Sequence, residues 1–128
     1  MEITRIPILK IEDYLVTSIQ TALHDKSAVQ FKEDLVQRIY ETRAKGLIID
    51  LTAVDVVDSF MGRIVSEVGA MAALMGTKVV ITGLQPAVAI TLVELGLELE
   101  GVTTALNLEK GIAALRHVAE KGEGDERG

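Results

Sequence analysis

Apolar positions along the chain fall alternately into short runs and helical stripes. "ITRIPILKI" and "YLVTSIQTAL" read as two strands. The break between them, Glu12–Asp13, is short enough to predict an antiparallel hairpin. In "SAVQFKEDLVQRIYETRAKG", Ala28, Phe31, Leu35 and Ile39 recur at helical spacing. Ser27 and Gln30 have the spacing of a capping box, and Gly46 suits a left-handed helix exit. "LIIDLTAV" and "KVVITG" are continuously apolar, as strands covered on both faces are.

Between these strands, residues from about Ser59 to Met75 form a second helical pattern, ended by Gly76. Pro86 opens a third helix that runs to about Leu95, before Gly96. "VTTAL" is a weaker last strand, and Asn107 caps a final helix carrying Ile112, Leu115 and Val118. Two strands followed by helix–strand repeats and a closing helix predict a single α/β domain. Its sheet is mixed but mostly parallel, with an initial hairpin and about four helices. The domain is expected over residues 1–120, with a polar, Gly-rich tail over 121–128 that is frayed and disordered.

Composition narrows the function. The chain has 128 residues, a net charge of −6, no Trp and only two Phe and two Tyr. A basic footprint and stacking aromatics are both missing, so nucleic acid and an acidic membrane surface are poor partners. With no Cys there is no thiolate nucleophile or cysteine metal site. The amino terminus lacks a signal-peptide core, and "VVITGLQPAVAITLV" is too broken to span a bilayer. A cytoplasmic protein is expected.

Candidate chemistry is sparse. "VDSFM" does not match the G-x-S-x-G elbow, and no motif places His24 or His117 as a base. Asp50, Asp55 and Asp58 cluster without the spacing of a calcium or zinc site; a small acidic-site enzyme built on them is a minor alternative. A receiver-like phosphoacceptor at Asp50, with Glu12–Asp13 holding magnesium, is another, but Lys110 falls inside a helix instead of at a strand end. "ITGLQP" has a single glycine, too little for a phosphate cradle. No catalytic residue, cofactor or metal is assigned, and the protein is not expected to be an enzyme.

The second helix says more. Asp58 and Ser59 are both favoured caps, and local sequence leaves open which one acts. Phe60, Met61, Ile64, Val65, Val68, Met71, Ala72 and Met75 share one side, a core stripe. The opposite side carries Ser59, Gly62, Ser66, Gly69, Ala70 and Ala73, with Arg63 and Glu67 toward its edge. Such a face packs within the fold or receives a partner; Gly62, Arg63, Ser66 and Ala70 are the candidate partner surface. A phosphate on Ser59 would add about two negative charges beside Asp55 and Asp58. It would suit the helix dipole while raising the cost of desolvating the face.

"LIIDLTAVDVVDS" resembles the signature of STAS domains, the anti-sigma-factor antagonist family. In that family an aspartate-preceded serine, here Ser59, is phosphorylated by a partner kinase. Phe60 and Met61 stand before Gly62 where a simple antagonist has a second small residue and Gly at once. That departure, with "SIQTALHDKSAVQFKEDLVQRIYETRAKGLIIDLT", "VDSFMGRIV", "LMGTKVVITGLQPAVAITLVELG" and "TALNLEKGI", is similar to the single-domain stressosome scaffold branch. The resemblance implies a large oligomer with longer, RsbR-like co-antagonists, which sequesters an RsbT-type serine kinase. It also implies kinase release after phosphorylation of Ser59, and reversal by an RsbX-type phosphatase. A simple antagonist of an anti-sigma kinase is the alternative. Thr91 is explained by packing in a helix interior.

Overall fold

A computed structural model describes residues 5–20, 23–96 and 102–125. The chain runs β1 (Ile8–Ile11), β2 (Tyr14–Ser18), α1 (Asp25–Thr42), β3 (Gly46–Asp50) and α2 (Ser59–Leu74). It continues through β4 (Lys78–Thr82), α3 (Pro86–Glu94), β5 (Val102–Ala105) and α4 (Leu108–Asp125). The strands lie side by side in chain order; β1 and β2 are antiparallel and every later pair is parallel. The hairpin turns on Glu12–Asp13 as expected, with Glu12 at a φ of 55°.

β1 begins later than the apolar run suggests. Pro7 cannot donate to a ladder, and its carbonyl accepts instead from Thr17 Oγ1 at 2.9 Å. The parts of these two runs at residues 3–4 and 21–22 lie outside the described residues.

Parallel crossovers of one hand place their helices on one face of the sheet. Leu47 and Ile49 of β3 and Val79 and Ile81 of β4 point into that larger core, with Phe31, Leu35, Ile39, Val68, Val88 and Leu92 from the helices. The alternate residues, Tyr14, Val16, Ile48 and Val80, meet Leu115 of α4 on the other face. Being covered on both sides is why β3 and β4 read as unbroken apolar runs.

Several local assignments change. The α1 cap is His24: its Nδ1 accepts from Ser27 N–H at 3.4 Å, and its Nε2 lies 2.9 Å from Ser27 Oγ. Gln30 bonds Asp34 at 2.8 Å, so Ser27 and Gln30 form no capping box. Arg43, at a φ of 52°, makes the left-handed exit from α1, and Gly46 is instead the first residue of β3. Gly46 is needed for room. A Cβ there would stand 2.7 Å from both terminal carbons of Leu115, which presses on the sheet. Asn107 caps α4 as expected, accepting from Lys110 N–H at 2.9 Å. α4 runs on to Asp125, into the stretch expected to be a tail, and its residues from Val118 onward are described as backbone only.

Candidate functional site

α2 starts where β3 gives out, and the loop between them fixes the geometry of Ser59. Val54 and Val57 are buried and pin the loop to the core, so Asp55, Val56, Asp58 and Ser59 turn outward. Asp58 is the cap. Its backbone is extended, its Oδ1 accepts from Met61 N–H at 2.8 Å, and its carbonyl accepts from Gly62 N–H at 3.0 Å. Ser59 is therefore the first helical residue: exposed, with no hydrogen bond to its hydroxyl among the described residues. The helix does not depend on it.

A polar clamp behind the loop carries no sequence signature. Asp50 Oδ1 accepts from Thr52 Oγ1 and Thr82 Oγ1, each at 2.8 Å, and Gln85 Nε2 donates to the Thr52 carbonyl at 2.8 Å. Gly83, at a φ of 68°, lets the β4–α3 loop press against Thr52; an added Cβ would fall 1.9 Å from Thr52 Oγ1. The loop carrying Ser59 is thus held by β4 and its following turn. The lone glycine of "ITGLQP" was the one visible hint, and it serves close approach instead of phosphate binding.

The candidate partner face divides. Gly62 and Gly69 are buried, and a Cβ on Gly69 would meet Val102 of β5 at 2.7 Å. Gly62 therefore leaves the proposed surface; part of the small-residue side is intramolecular packing. What remains outside is a stripe of Ser59, Arg63, the half-buried Ser66, Ala70 and Ala73. Arg63 stands one helical turn beyond Ser59, close enough for its guanidinium to meet a charge placed there. On the inner side Met61 is buried and Phe60 half-buried against the core, so the bulky pair after Ser59 is core material. Lys32 of α1 pairs with Glu67 at 3.0 Å and fixes the opposite flank of α2.

The rival sites do not assemble. His24 is engaged with Ser27, and neither His24 nor His117 bonds Ser59. Glu12 and Asp13 precede β2, whereas Asp50 ends the parallel β3, so a receiver-like trio would have to reach across the sheet. Glu12 is paired with Arg116, and Asp13 with Lys45 at 3.9 Å. Among the described residues no three acidic, His or Cys groups could share a metal ion, and no helix is long and apolar enough to cross a membrane. Thr91 is half-buried and donates to the Ala87 carbonyl at 3.0 Å.

The STAS domain model matches residues 5–111. The chain belongs to the STAS family. The RsbT co-antagonist protein RsbRA of Bacillus subtilis is 30% identical over 101 residues, 79% of this STAS chain but only 37% of that protein. RsbRD of the same organism is 26% identical over 84% of the chain and 39% of its own length. The domain thus spans well under half of these curated relatives. Among solved structures, a Moorella thermoacetica RsbS with a serine-to-glutamate substitution is 48% identical, with a TM-score of 0.83 over 91% of this chain and 99% of that one. A chain from the molecular architecture of the stressosome, a signal integration and transduction hub, is 47% identical. Its TM-score is 0.74 over 88% of this chain and 98% of that one. The anti-sigma factor antagonist SpoIIAA, at 12% identity and a TM-score of 0.69, shares the fold alone.

Proposed function

We propose that this STAS domain is a non-enzymatic, phospho-switched scaffold of a cytoplasmic, stressosome-type assembly. It binds longer RsbR-like co-antagonists and holds an RsbT-like serine kinase until that kinase phosphorylates Ser59. An RsbX-like phosphatase restores the hydroxyl, and the cycle regulates a stress response. The reading rests most heavily on one observation: Ser59 is exposed in the first turn of α2 while Asp58 independently caps the helix. A kinase can take this hydroxyl without unfolding its substrate.

The electrostatic sense of the switch follows from the neighbours. Asp55 and Asp58 are exposed beside Ser59, and a phosphate adds roughly two more negative charges. Arg63, one turn on, is drawn toward the phosphate and away from any acidic group a partner presents. Partner contacts along Arg63, Ser66 and Ala70 are weakened while the domain keeps its fold.

Two measurements test the reading. Intact-mass analysis after incubation with ATP and the stress-complex kinase should show one phosphate on the parent and none on Ser59→Ala. Pull-downs from cell extract should recover the kinase and longer STAS proteins with Ser59→Ala, and lose the kinase with Ser59→Asp. Equal recovery of every partner by both variants refutes the switch.

A further inference from the structure

Where α1 and α2 end side by side, the molecule opens a cleft of about 540 Å³. Arg43, at the exit of α1, and Lys45, just before β3, form one wall; Met75 and Gly76, at the end of α2, form the other. The two walls are tied together. Buried Thr77 donates from Oγ1 to the Ala44 carbonyl at 2.8 Å, and Lys78 N–H donates to the Lys45 carbonyl at 3.0 Å. The cleft is thus preformed, and its size is that of a small-molecule site. Tyr40, 70% exposed, and Met75, 38% exposed, offer an aromatic face and a thioether to an occupant.

The rim is basic where the Ser59 loop is acidic. Arg43 has no hydrogen bond or ion pair among the described residues, and Lys45 has only a 3.9 Å contact with Asp13. Cations near a helix end commonly serve its last carbonyls. Here those carbonyls are already taken. Met71 and Ala72 accept from Met75 N–H, Ala73 accepts from Gly76 N–H, and Ala44 accepts from Thr77. Glu41, the carboxylate on the lining, is bonded to Gln37 at 2.9 Å, one turn back along α1.

Arg43 adds an independent clue. It holds a φ of 52°, where glycine or asparagine is the usual helix exit. A long cation kept in that backbone state points to a use for its side chain.

We propose that this cleft binds a small planar aromatic molecule carrying a single carboxylate. The ring lies on Tyr40 and against the Met75 sulfur, while the Arg43 guanidinium takes the carboxylate with Lys45 beside it. Phosphorylated ligands fit less well. Phosphate sites draw on the free N–H groups of helix N-termini, and both helices present their C-terminal ends here. Two cations opposed by Glu41 and Asp13 leave room for one negative charge, not several. The cleft lies at the tail of α2, 16 residues at about 1.5 Å each from the head that carries Ser59. An occupant therefore leaves the serine exposed. The site stands apart from the phospho-switch reading, and neither kinase nor co-antagonist is needed to test it.

An amide NMR titration of the purified chain with sodium benzoate makes the test. Benzoate should give saturable shifts centred on Tyr40, Arg43, Lys45, Met75 and Gly76. It should bind about tenfold or more tightly than benzyl alcohol, cyclohexanecarboxylate or phenyl phosphate, which lack the charge, the ring or the single carboxylate. Arg43→Asn keeps a residue suited to the left-handed exit, so its thermal midpoint should match the parent's while benzoate affinity falls about tenfold. Tyr40→Ala removes an exposed ring and should weaken benzoate to a similar degree, about tenfold, in a chain that stays folded. Absence of saturable shifts, or shifts centred elsewhere, overturns the proposal. So does phenyl phosphate or cyclohexanecarboxylate binding as well as benzoate, or an Arg43→Asn or Tyr40→Ala protein that binds benzoate like the parent.

Discussion

Ser27 and Ser59 both lie in the first turn of a helix, on α1 and α2, which pack against each other. Ser27 is fully buried, three residues into its turn, with amide and hydroxyl both engaged by His24. Ser59 stands at the first helical position, outside, with the capping bond made by the residue before it. One serine is used up in joining a helix to the core; the other is left for a partner. The difference comes from the entry of the chain. Val54 and Val57 bring α2 in from a loop pinned at the sheet edge, so the start of α2 faces solvent. The start of α1 is pressed inward by Ala28 and Phe31.

The sharpest way to break this contrast is to put a charge at each serine. Ser27→Asp places a carboxylate at a fully buried position beside His24 and should cost on the order of 3 kcal/mol or more in urea unfolding. Ser59→Asp should stay within about 0.5 kcal/mol of the parent. Comparable losses at both would remove the distinction. Gly83→Ala comes next. It forces an L side chain into a positive φ and against Thr52, so a loss of about 2 kcal/mol is expected in thermal unfolding. Ser59 phosphorylation should slow with it as the loop shifts.

Asp58→Ala should cost about 1 kcal/mol, whereas Ser59→Ala should cost almost nothing. The reverse order would return the cap to Ser59. Of the two caps, His24→Ala should cost less than Asp58→Ala, about 0.5 kcal/mol, because the 3.4 Å bond to Ser27 N–H is longer than Asp58's 2.8 Å bond. Chemical denaturation of the two variants side by side measures that ranking.

Most of the fold was legible because its signals are local. The stripe Ala28–Phe31–Leu35–Ile39 and the runs in β3 and β4 record which faces are covered, and their apolar residues are all buried. Ser59 and its acidic neighbours were legible for the same reason, as a polar cluster between a buried strand and an amphipathic helix. The capping box at Ser27 misled because Ser, His and Asp all offer acceptors near a helix start. The direction of entry chooses among them. Gly46 misled because glycine marks either a turn or a close approach. Only the group standing opposite decides; at Gly46 it is Leu115 of a helix far along the chain.

The clamp around Asp50 shows the same limit from the other side. Asp50, Thr52, Thr82 and Gln85 are spread over more than thirty positions, and no spacing rule joins them. The two rims, the acidic Asp55–Asp58 loop and the basic Arg43–Lys45 end, likewise acquire opposite addresses only once β3 runs between them.

By itself, then, the sequence determined the alternation of elements, the buried stripe of α1 and the polar cluster around Ser59, since periodic burial is written residue by residue. The tertiary structure decided that Asp58 rather than Ser59 caps α2, which glycines make room for neighbours, and which charges share an edge. Each of those depends on contacts between segments distant in the chain, and only packing brings such segments together.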